Sequence, residues 1–467
     1  MTEAEGETKP WRRDGPADDE EPSAPPAGGR PEADAGPPDS APGVLEAPAA
    51  PEGAEAELVR ELCSFEGRGP GTDAERRAAN MLAGRLRGLG RRAEVEPTYV
   101  HRQFALVHAL HVAVAIAGSL IAVSQPAVGF ALVLFAATSA YLDLNTRVYI
   151  LRTLFFRRAS QNVVSPGPNP AAPLRLVLLA HYDAGRSGYV YGERGRKLAE
   201  RLSEPARLLL GPFRLIFWGG MVPLLPIIGA RMAGVDGDWL SLIQLVPTIL
   251  LIVAAFLLID IALSETVPGA YDNASGVAAV LGAAARLRDE PPQNLDVWVV
   301  LTGGGESLSE GMRSWARRHR AGLDREHTLL VNVEGASYGT VHYRTTEGAV
   351  ISYATDPELV ELCEALAAAE PDEGKRALPV RSPVVSDALA ARVRRMRSVS
   401  IVGADGGLAP PWLHAHEDTP ERIDAAALER TTAFVVALAG LIDRGTERAA
   451  MSQAAASGDP AAHEVSP

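Results

Sequence analysis

Two kinds of apolar pattern run along this chain, and they predict two kinds of structure. From Gln103 to Leu142 there is no Asp, Glu, Lys or Arg. At about 1.5 Å per helical residue that stretch would reach roughly 60 Å, twice the ~30 Å hydrocarbon thickness of a bilayer. Ser124-Gln125-Pro126 interrupts it near the middle, so the expectation is a helical hairpin, about 104–123 and 127–143. A second pair follows at about 208–230 and 239–260. Trp239–Ile259 is a 21-residue span without a charged residue, whereas Leu215–Ala230 is shorter, broken by Pro223 and Pro226 and flanked by Arg214. For Leu215–Ala230 a buried core helix is the plainer alternative.

Elsewhere the apolar runs are short. Leu174–Ala180, Leu295–Leu301 and Thr328–Val333 are nearly continuous, as expected of strands covered on both faces, and Val95–Val100 reads as a further strand. Thr72-Asp73-Ala74-Glu75 is a capping box that opens a helix running to Leu89 and stopping at Gly90. Helices are expected over Ser275–Leu287, Ser309–His319, Pro357–Ala369 and Asp424–Arg444. The alternation predicts an α/β fold, with a mostly parallel central sheet between helix layers. That domain would be assembled from 54–103, 144–207 and 261–448, with transmembrane hairpins inserted at 104–143 and 208–260.

Charge orients the hairpins. Arg91, Arg92 and Arg102 precede the first; Arg147, Arg152, Arg157 and Arg158 follow it; Arg194, Arg196, Lys197, Arg201 and Arg207 precede the second. The turns inside the hairpins hold only Arg231, beside Asp236 and Asp238. An excess of basic residues marks the cytoplasmic side, so the expectation is a multi-pass cell-membrane protein with four spans in the lipid bilayer. Its soluble segments and both termini would be cytoplasmic. His108 and His111, one helical turn apart, are expected to make polar helix–helix contacts.

Composition narrows the class. The 467 residues carry 45 Lys+Arg against 58 Asp+Glu, a net charge of -13. No nucleic-acid partner is expected, because such a partner needs a basic face. Thirteen of the acidic residues, four of the basic ones and eleven of the 35 prolines fall in 1–53. That stretch has too little apolar surface to fold and no apolar core of a secretory signal, so it is expected to be a disordered acidic tail. The Ala/Ser/Pro-rich stretch 449–467 is read the same way. Cys63 and Cys363 form no CxxC pair, which argues against a disulfide framework or a zinc finger.

The strand ends carry the chemistry. The run Leu174–Ala180 delivers His181-Tyr182-Asp183, Val297–Thr302 leads through Gly303-Gly304-Gly305 to Glu306, and Thr328–Val333 ends at Glu334. In open α/β sheets the carboxyl ends of the strands border the ligand crevice. One imidazole and two carboxylates arriving there suit a divalent metal.

The order of motifs is more specific. His181-x-Asp183 is followed by Gly269-Ala270-Tyr271-Asp272-Asn273-Ala274-Ser275-Gly276, then Gly305-Glu306 with Gly311 five residues on, then Asn332-x-Glu334, and last His414-Ala415-His416-Glu417-Asp418-Thr419. The series resembles metallopeptidase family twenty-eight, the co-catalytic zinc aminopeptidases. The resemblance spans nearly the whole soluble part, from Gly67–Thr72 to Pro420–Asp424. It implies two zinc ions per chain held by His181, Asp272, Glu306, Glu334 and His414, with Asp272 bridging and Asp183 fixing the His181 ring. It implies a peptide or aminoacyl substrate attacked by a zinc-activated water. His416 is expected to be exposed.

Two departures from the family pattern stand out. Laid ungapped on the family's strand-loop-helix, the usual pair of adjacent glutamates becomes Gly305-Glu306, so Gly305 occupies the place of the general base. Such a base is worth ~10²–10⁴-fold in rate. Glu310, His416 or Glu417 could substitute, and a Glu restored at 305 is expected to raise turnover. Ser386-Asp387-Ala388 stands where members often have Ser-Asp-His, which bears on a substrate contact. The expectation is a membrane-anchored zinc aminopeptidase-like hydrolase. The alternative is a catalytically impaired pseudopeptidase that binds metal and a peptide or protein partner. Four spans with no internal repeat and no paired intramembrane charges argue against a transporter.

Overall fold

The apolar runs converge on one nine-stranded sheet in the computed structural model, which describes residues 53–457. Almost all of the acidic stretch 1–53, and residues 458–467, lie outside the described residues. In chain order the strands are β1 Glu94–Val100, β2 Arg158–Ser165, β3 Leu174–His181, β4 Leu295–Thr302, β5 Thr328–Glu334, β6 Thr340–Glu347, β7 Tyr353–Ala354, β8 Leu378–Ser382 and β9 Arg397–Ala404. Their spatial order is β1-β2-β4-β3-β5-β9-β6-β7, with β8 also on β6. The runs of β3 are continuous because both of its faces are covered. Leu176, Leu178 and Ala180 pack with Val277, Val280 and Leu438 on one side. Val177 and Leu179 pack with Met312 and Trp315 on the other.

The sheet is mixed rather than mostly parallel. The pairs β4–β3, β3–β5, β5–β9 and β6–β8 are parallel. The pairs β1–β2, β2–β4, β6–β9 and β6–β7 are antiparallel. Parallel neighbours need a long crossover, and helices Gly276–Asp289 and Glu310–His319 supply two of them. The link 335–339 between β5 and β6 is too short for one. Left-handed Gly335 (φ 55) and Gly339 (φ 61) reverse the chain there, and β6 runs antiparallel to β9.

The capping box forms and does more than cap. Thr72 Oγ1 accepts from Glu75 N (3.1 Å), while Glu75 accepts from Gly71 N (2.8 Å) with one oxygen. Its other oxygen accepts from Ser160 Oγ and Gly304 N, both at 2.9 Å. The helix start is thereby tied to the glycine loop after β4.

The inserted segments form helices Phe104–Ile121, Pro126–Leu144, Pro212–Met232 and Asp238–Leu263. Residues Leu215–Met221 of the third are wound as a wider turn. The first two helices approach through small residues: a Cβ on Gly129 would lie 2.4 Å from both Ala122 Cβ and the Gly118 carbonyl. Polar side chains also join the helices of the bundle to one another. Gln244 Nε2 donates to Ser119 O (2.6 Å), Ser119 and Thr248 hydroxyls pair (2.7 Å), and His111 Nε2 meets Ser139 Oγ (2.8 Å). By length and composition five described helices could cross a membrane, the fifth being Ala425–Thr446. In that helix Leu428, Val435, Leu438 and Ile442 belong to the core against the sheet. The same helix continues to Ser457, into the stretch read as a tail.

Arg68, 1% exposed, pins the helices to the sheet edge. Its guanidinium donates to the carbonyls of Tyr182 (2.6 Å), Leu62, Pro268 (3.2 Å) and Gly269 (3.1 Å). An ammonium cannot reach four carbonyls in one plane. Arg68→Lys is expected to cost about 2–3 kcal/mol through buried carbonyls left unpaired, read as a lowered midpoint in denaturant unfolding of the purified protein.

Candidate metal centre

The site is built where β3, β4 and β5 end, by residues that hold one another's backbones. β3 delivers His181 beside Thr302 of β4. Two residues on, buried Asp183 turns back and accepts from Gly305 N (2.8 Å) and Glu306 N (3.0 Å), so the β4 loop is fixed to the end of β3. The same carboxylate lies 3.5 Å from His181 Nδ1, and the Asp183 carbonyl is 3.2 Å from that nitrogen. The ring is thus held so that Nε2 faces the cluster.

Asp272 enters from a segment that begins at left-handed Gly269 (φ 67). Asp418 in the last loop accepts from Tyr271 N (2.7 Å) and Asp272 N (3.2 Å). Asn273 donates to Val333 O (3.0 Å) and His181 O (3.3 Å) and accepts from Gly335 N (2.9 Å). One side chain therefore clasps the ends of β3 and β5. His414 is left-handed (φ 56), a strained state for a residue with a Cβ, and its ring rests on Tyr191 at 4.5 Å between centroids.

These elements bring four of the expected ligands together. Asp272 Oδ1 is 3.3 Å from His181 Nε2, and Asp272 Oδ2 is 3.3 Å from His414 Nε2. Glu306 Oε1 is 3.5 Å from His414 Nε2. His181, Asp272 and Glu306 each offer a ligand atom within 4.8 Å of the others. Nitrogen and oxygen ligands at about 2.0–2.1 Å from a tetrahedral ion stand roughly 3.3–3.4 Å apart, so the donor set and its spacing fit zinc. Burial disfavours charge on both imidazoles, but Asp183 and Asp272 hold His181, and Glu306 and Asp272 hold His414, well above the ordinary histidine range. For Asp272 burial is outweighed by the two imidazoles, and its carboxyl lies below the usual carboxylate range. Burial pushes Glu306 up, and Asp418 up to about 7.

Glu334 does not join this group. Its carboxylate is taken by Arg344 Nη1 (2.5 Å) and Asn332 Nδ2 (3.0 Å). Arg344 is in turn paired with buried Glu347 (2.9 Å). The strand-end position of Glu334 was visible in the sequence, but the basic partner arriving from β6 was not.

The place where the family resemblance expects a general base is closed. A Cβ on Gly305 would lie 2.4 Å from both Cβ and Cγ of His181, so a side chain there strikes the imidazole. The gain expected from a restored Glu does not follow from this geometry. Glu310 is committed elsewhere: it accepts from His101 N, pairs with His101 Nδ1 (2.7 Å) and lies 3.8 Å from Arg152. His416 and Glu417 are exposed. Asp387, next to the departure at Ala388, lies close to the cluster. It is buried, accepts from Thr302 Oγ1 beside His181, and leaves Oδ1 unpartnered. Burial pushes its carboxyl up to about 6.

Residues 259–439 match the model of Peptidase family M28, which bears out the resemblance read from the motifs over that part of the chain. The chain is similar in fold to a leucine aminopeptidase precursor from Bacteroides thetaiotaomicron VPI-5482, at 14% identity, covering 85% of this chain and 98% of that one, with a TM-score of 0.47. It is similar also to a Zn-dependent exopeptidase from Parabacteroides distasonis ATCC 8503 (13%, 82% and 97%, 0.46). A third is the glutaminyl cyclase of Tannerella forsythia (16%, 82% and 96%, 0.48). Likeness at this level decides neither substrate nor reaction. No curated protein matches the chain.

Gly305→Ala is expected to displace His181 and weaken zinc binding at least tenfold, measured by competition with a chromogenic chelator. Unchanged affinity would mean that the loop yields without moving the ring.

Proposed function

We propose that this protein is a membrane-anchored, zinc-dependent hydrolase of the aminopeptidase type, with a peptide or aminoacyl substrate. The observation that carries this reading is the carboxylate of Asp272, whose two oxygens each lie 3.3 Å from a different imidazole. A carboxylate so placed suits a pair of cations about 3.5–4 Å apart, which repel unless an anion lies between them. His414, Asp272 and Glu306 would hold one zinc. His181 and Asp272 would hold the other, with Glu334 as a third ligand once released from Arg344. Bound zinc would activate water and polarise the scissile carbonyl. Asp183 keeps the His181 ring in register, and Asp418 holds the Asp272 backbone. Tyr191 closes one side of His414.

One observation favours a second reading, an impaired pseudopeptidase that binds metal and a peptide or protein partner. Gly305 puts no carboxylate where a proton must pass from water to the leaving amine, and Glu310 is held by His101.

The membrane reading is supported by the outer surface of Asp238–Leu263. Leu242, Val246, Val253 and Phe256 stand exposed there, Phe256 by 71%, a larger apolar face than water tolerates. With the basic flanks it favours four spans and a cytoplasmic soluble domain.

Purified full-length protein is expected to carry about two zinc ions per chain, and Asp272→Ala or His414→Ala to lose them; metal analysis showing none removes both readings. On the zinc-loaded protein, turnover across a panel of aminoacyl amides supports the hydrolase, and metal without turnover supports the impaired form. Membranes washed in alkaline carbonate are expected to retain the protein; release into the wash would mean that the hairpins do not span.

A further inference from the structure

Away from the metal centre, five arginines gather around a cavity of about 260 Å3: Arg313, Arg317, Arg320, Arg325 and Arg394. The sequence explains how. Arg313, Arg317 and Arg320 recur at helical spacing along Glu310–His319 and its C-terminal end, so they share one face. Like charges at that spacing destabilise a helix, and an acidic neighbour ordinarily offsets them. Arg318 on the same helix has Glu96 at 3.5 Å, Arg286 has Glu429 at 2.5 Å, and Arg397 has Asp356 at 2.9 Å. None of the five makes an ion pair among the described residues, and Asp324, next to Arg325, turns instead to His327 (2.8 Å).

A solvated basic face would let its guanidinium groups spread into water. Here two are held in place. Arg313 lies flat on the Tyr149 ring at 3.7 Å and keeps Nη1 buried without a hydrogen-bond partner. Arg394 is half-buried, tied to Ala390 O (2.6 Å) and Thr146 O (2.8 Å). Burial, with the charges of Arg313 and Arg317, pulls its guanidinium down to about 10. Such crowding is costly without an anion.

The position says where one would come from. Thr146 and Tyr149 follow directly on helix Pro126–Leu144. The same connection exposes Val148, Leu154 and Phe156, Phe156 by 92%, among exposed Arg147, Arg157 and Arg158. Apolar side chains interleaved with arginines beside a span mark the bilayer interface, where acidic headgroups lie.

We propose that the five-arginine cavity is a binding site for a phosphate-bearing anion, a class that takes in both acidic phospholipid headgroups and free phosphate. The site itself rests on the cavity and the unpaired arginines. Its supply from lipid rests in addition on the membrane reading above.

The test is a calorimetric titration of the full-length protein in neutral detergent at fixed ionic strength. The probes are inorganic phosphate, short-chain phosphatidylglycerol and short-chain phosphatidylcholine. Arg317→Gln/Arg320→Gln removes two exposed charges, and Arg85→Gln/Arg288→Gln is the charge-matched control. Saturable binding of phosphate or phosphatidylglycerol, weakened at least about tenfold by the first pair and unchanged by the second, supports the site. One guanidinium near an anionic surface contributes about 1 kcal/mol, roughly fivefold. Binding of phosphatidylglycerol without phosphate assigns a lipid source; binding of phosphate at equal or higher affinity assigns a soluble one. No saturable binding by either, equal binding of phosphatidylcholine, or equal loss in the control pair overturns the proposal. Zinc content is expected to stay the same in both pairs, so failure here is distinct from failure of the metal centre.

Discussion

The candidate metal centre depends on one buried carboxylate that is not itself among the four clustered side chains. Asp183 accepts the backbone N–H groups of Gly305 and Glu306 while facing His181 Nδ1. It therefore joins His181 on β3 to Glu306 on the loop after β4. A carboxylate that accepts two backbone amides, one with each oxygen, is fixed in orientation by both. It also accounts for the glycines beside it. Gly304 is left-handed and donates to Glu75, and any side chain at Gly305 would invade the ring that Asp183 orients. The absence of a base at 305 and the fixed position of His181 are thus two results of one packing arrangement.

The second layer of support comes from the inserted helices. Arg152, fully buried after the first hairpin, makes two hydrogen bonds to Asp143 at the end of Pro126–Leu144 and donates through Nη1 to Ser307 O (2.9 Å). Ser307 follows Glu306. His108 from the first helix lies 3.5 Å from the same Asp143. A buried ion pair is worth most where it sets a register that packing leaves open. Here it couples the end of a hairpin to the loop that carries Glu306. The hairpins furnish part of the scaffold behind Glu306, and Tyr191, just ahead of the second pair, packs on His414.

Charge is distributed in keeping with this layout. Acidic groups converge at the carboxyl edge of the sheet, where two imidazoles balance them. Arginines collect beside the end of the first hairpin, around Arg313 and Arg394. Paired arginines elsewhere, such as Arg392 with Glu347, serve packing, and Arg344 spans both roles by drawing Glu334 off the cluster.

Local pattern was enough for the parts whose physics is local. The uncharged run 103–142 with its Ser-Gln-Pro break, the capping box at Thr72, and the double-faced runs of β3, β4 and β5 were all legible. So was the meeting of His181, Asp272, Glu306 and His414, because their motifs occur in a recognisable order. Strands β2, β6, β8 and β9 were not, since Arg158–Ser165 and Leu378–Ser382 carry too few apolar residues to stand out and become strands only by pairing. The reversal of β6 against β9 came from a link too short to cross over. The diversion of Glu334 by Arg344, the engagement of Glu310 by His101 and the collision waiting at Gly305 are meetings between residues from ten to over two hundred positions apart. A linear chain specifies which groups it carries and how they repeat; only closing the sheet decides which of them touch, because contact at that range is set by packing and not by spacing.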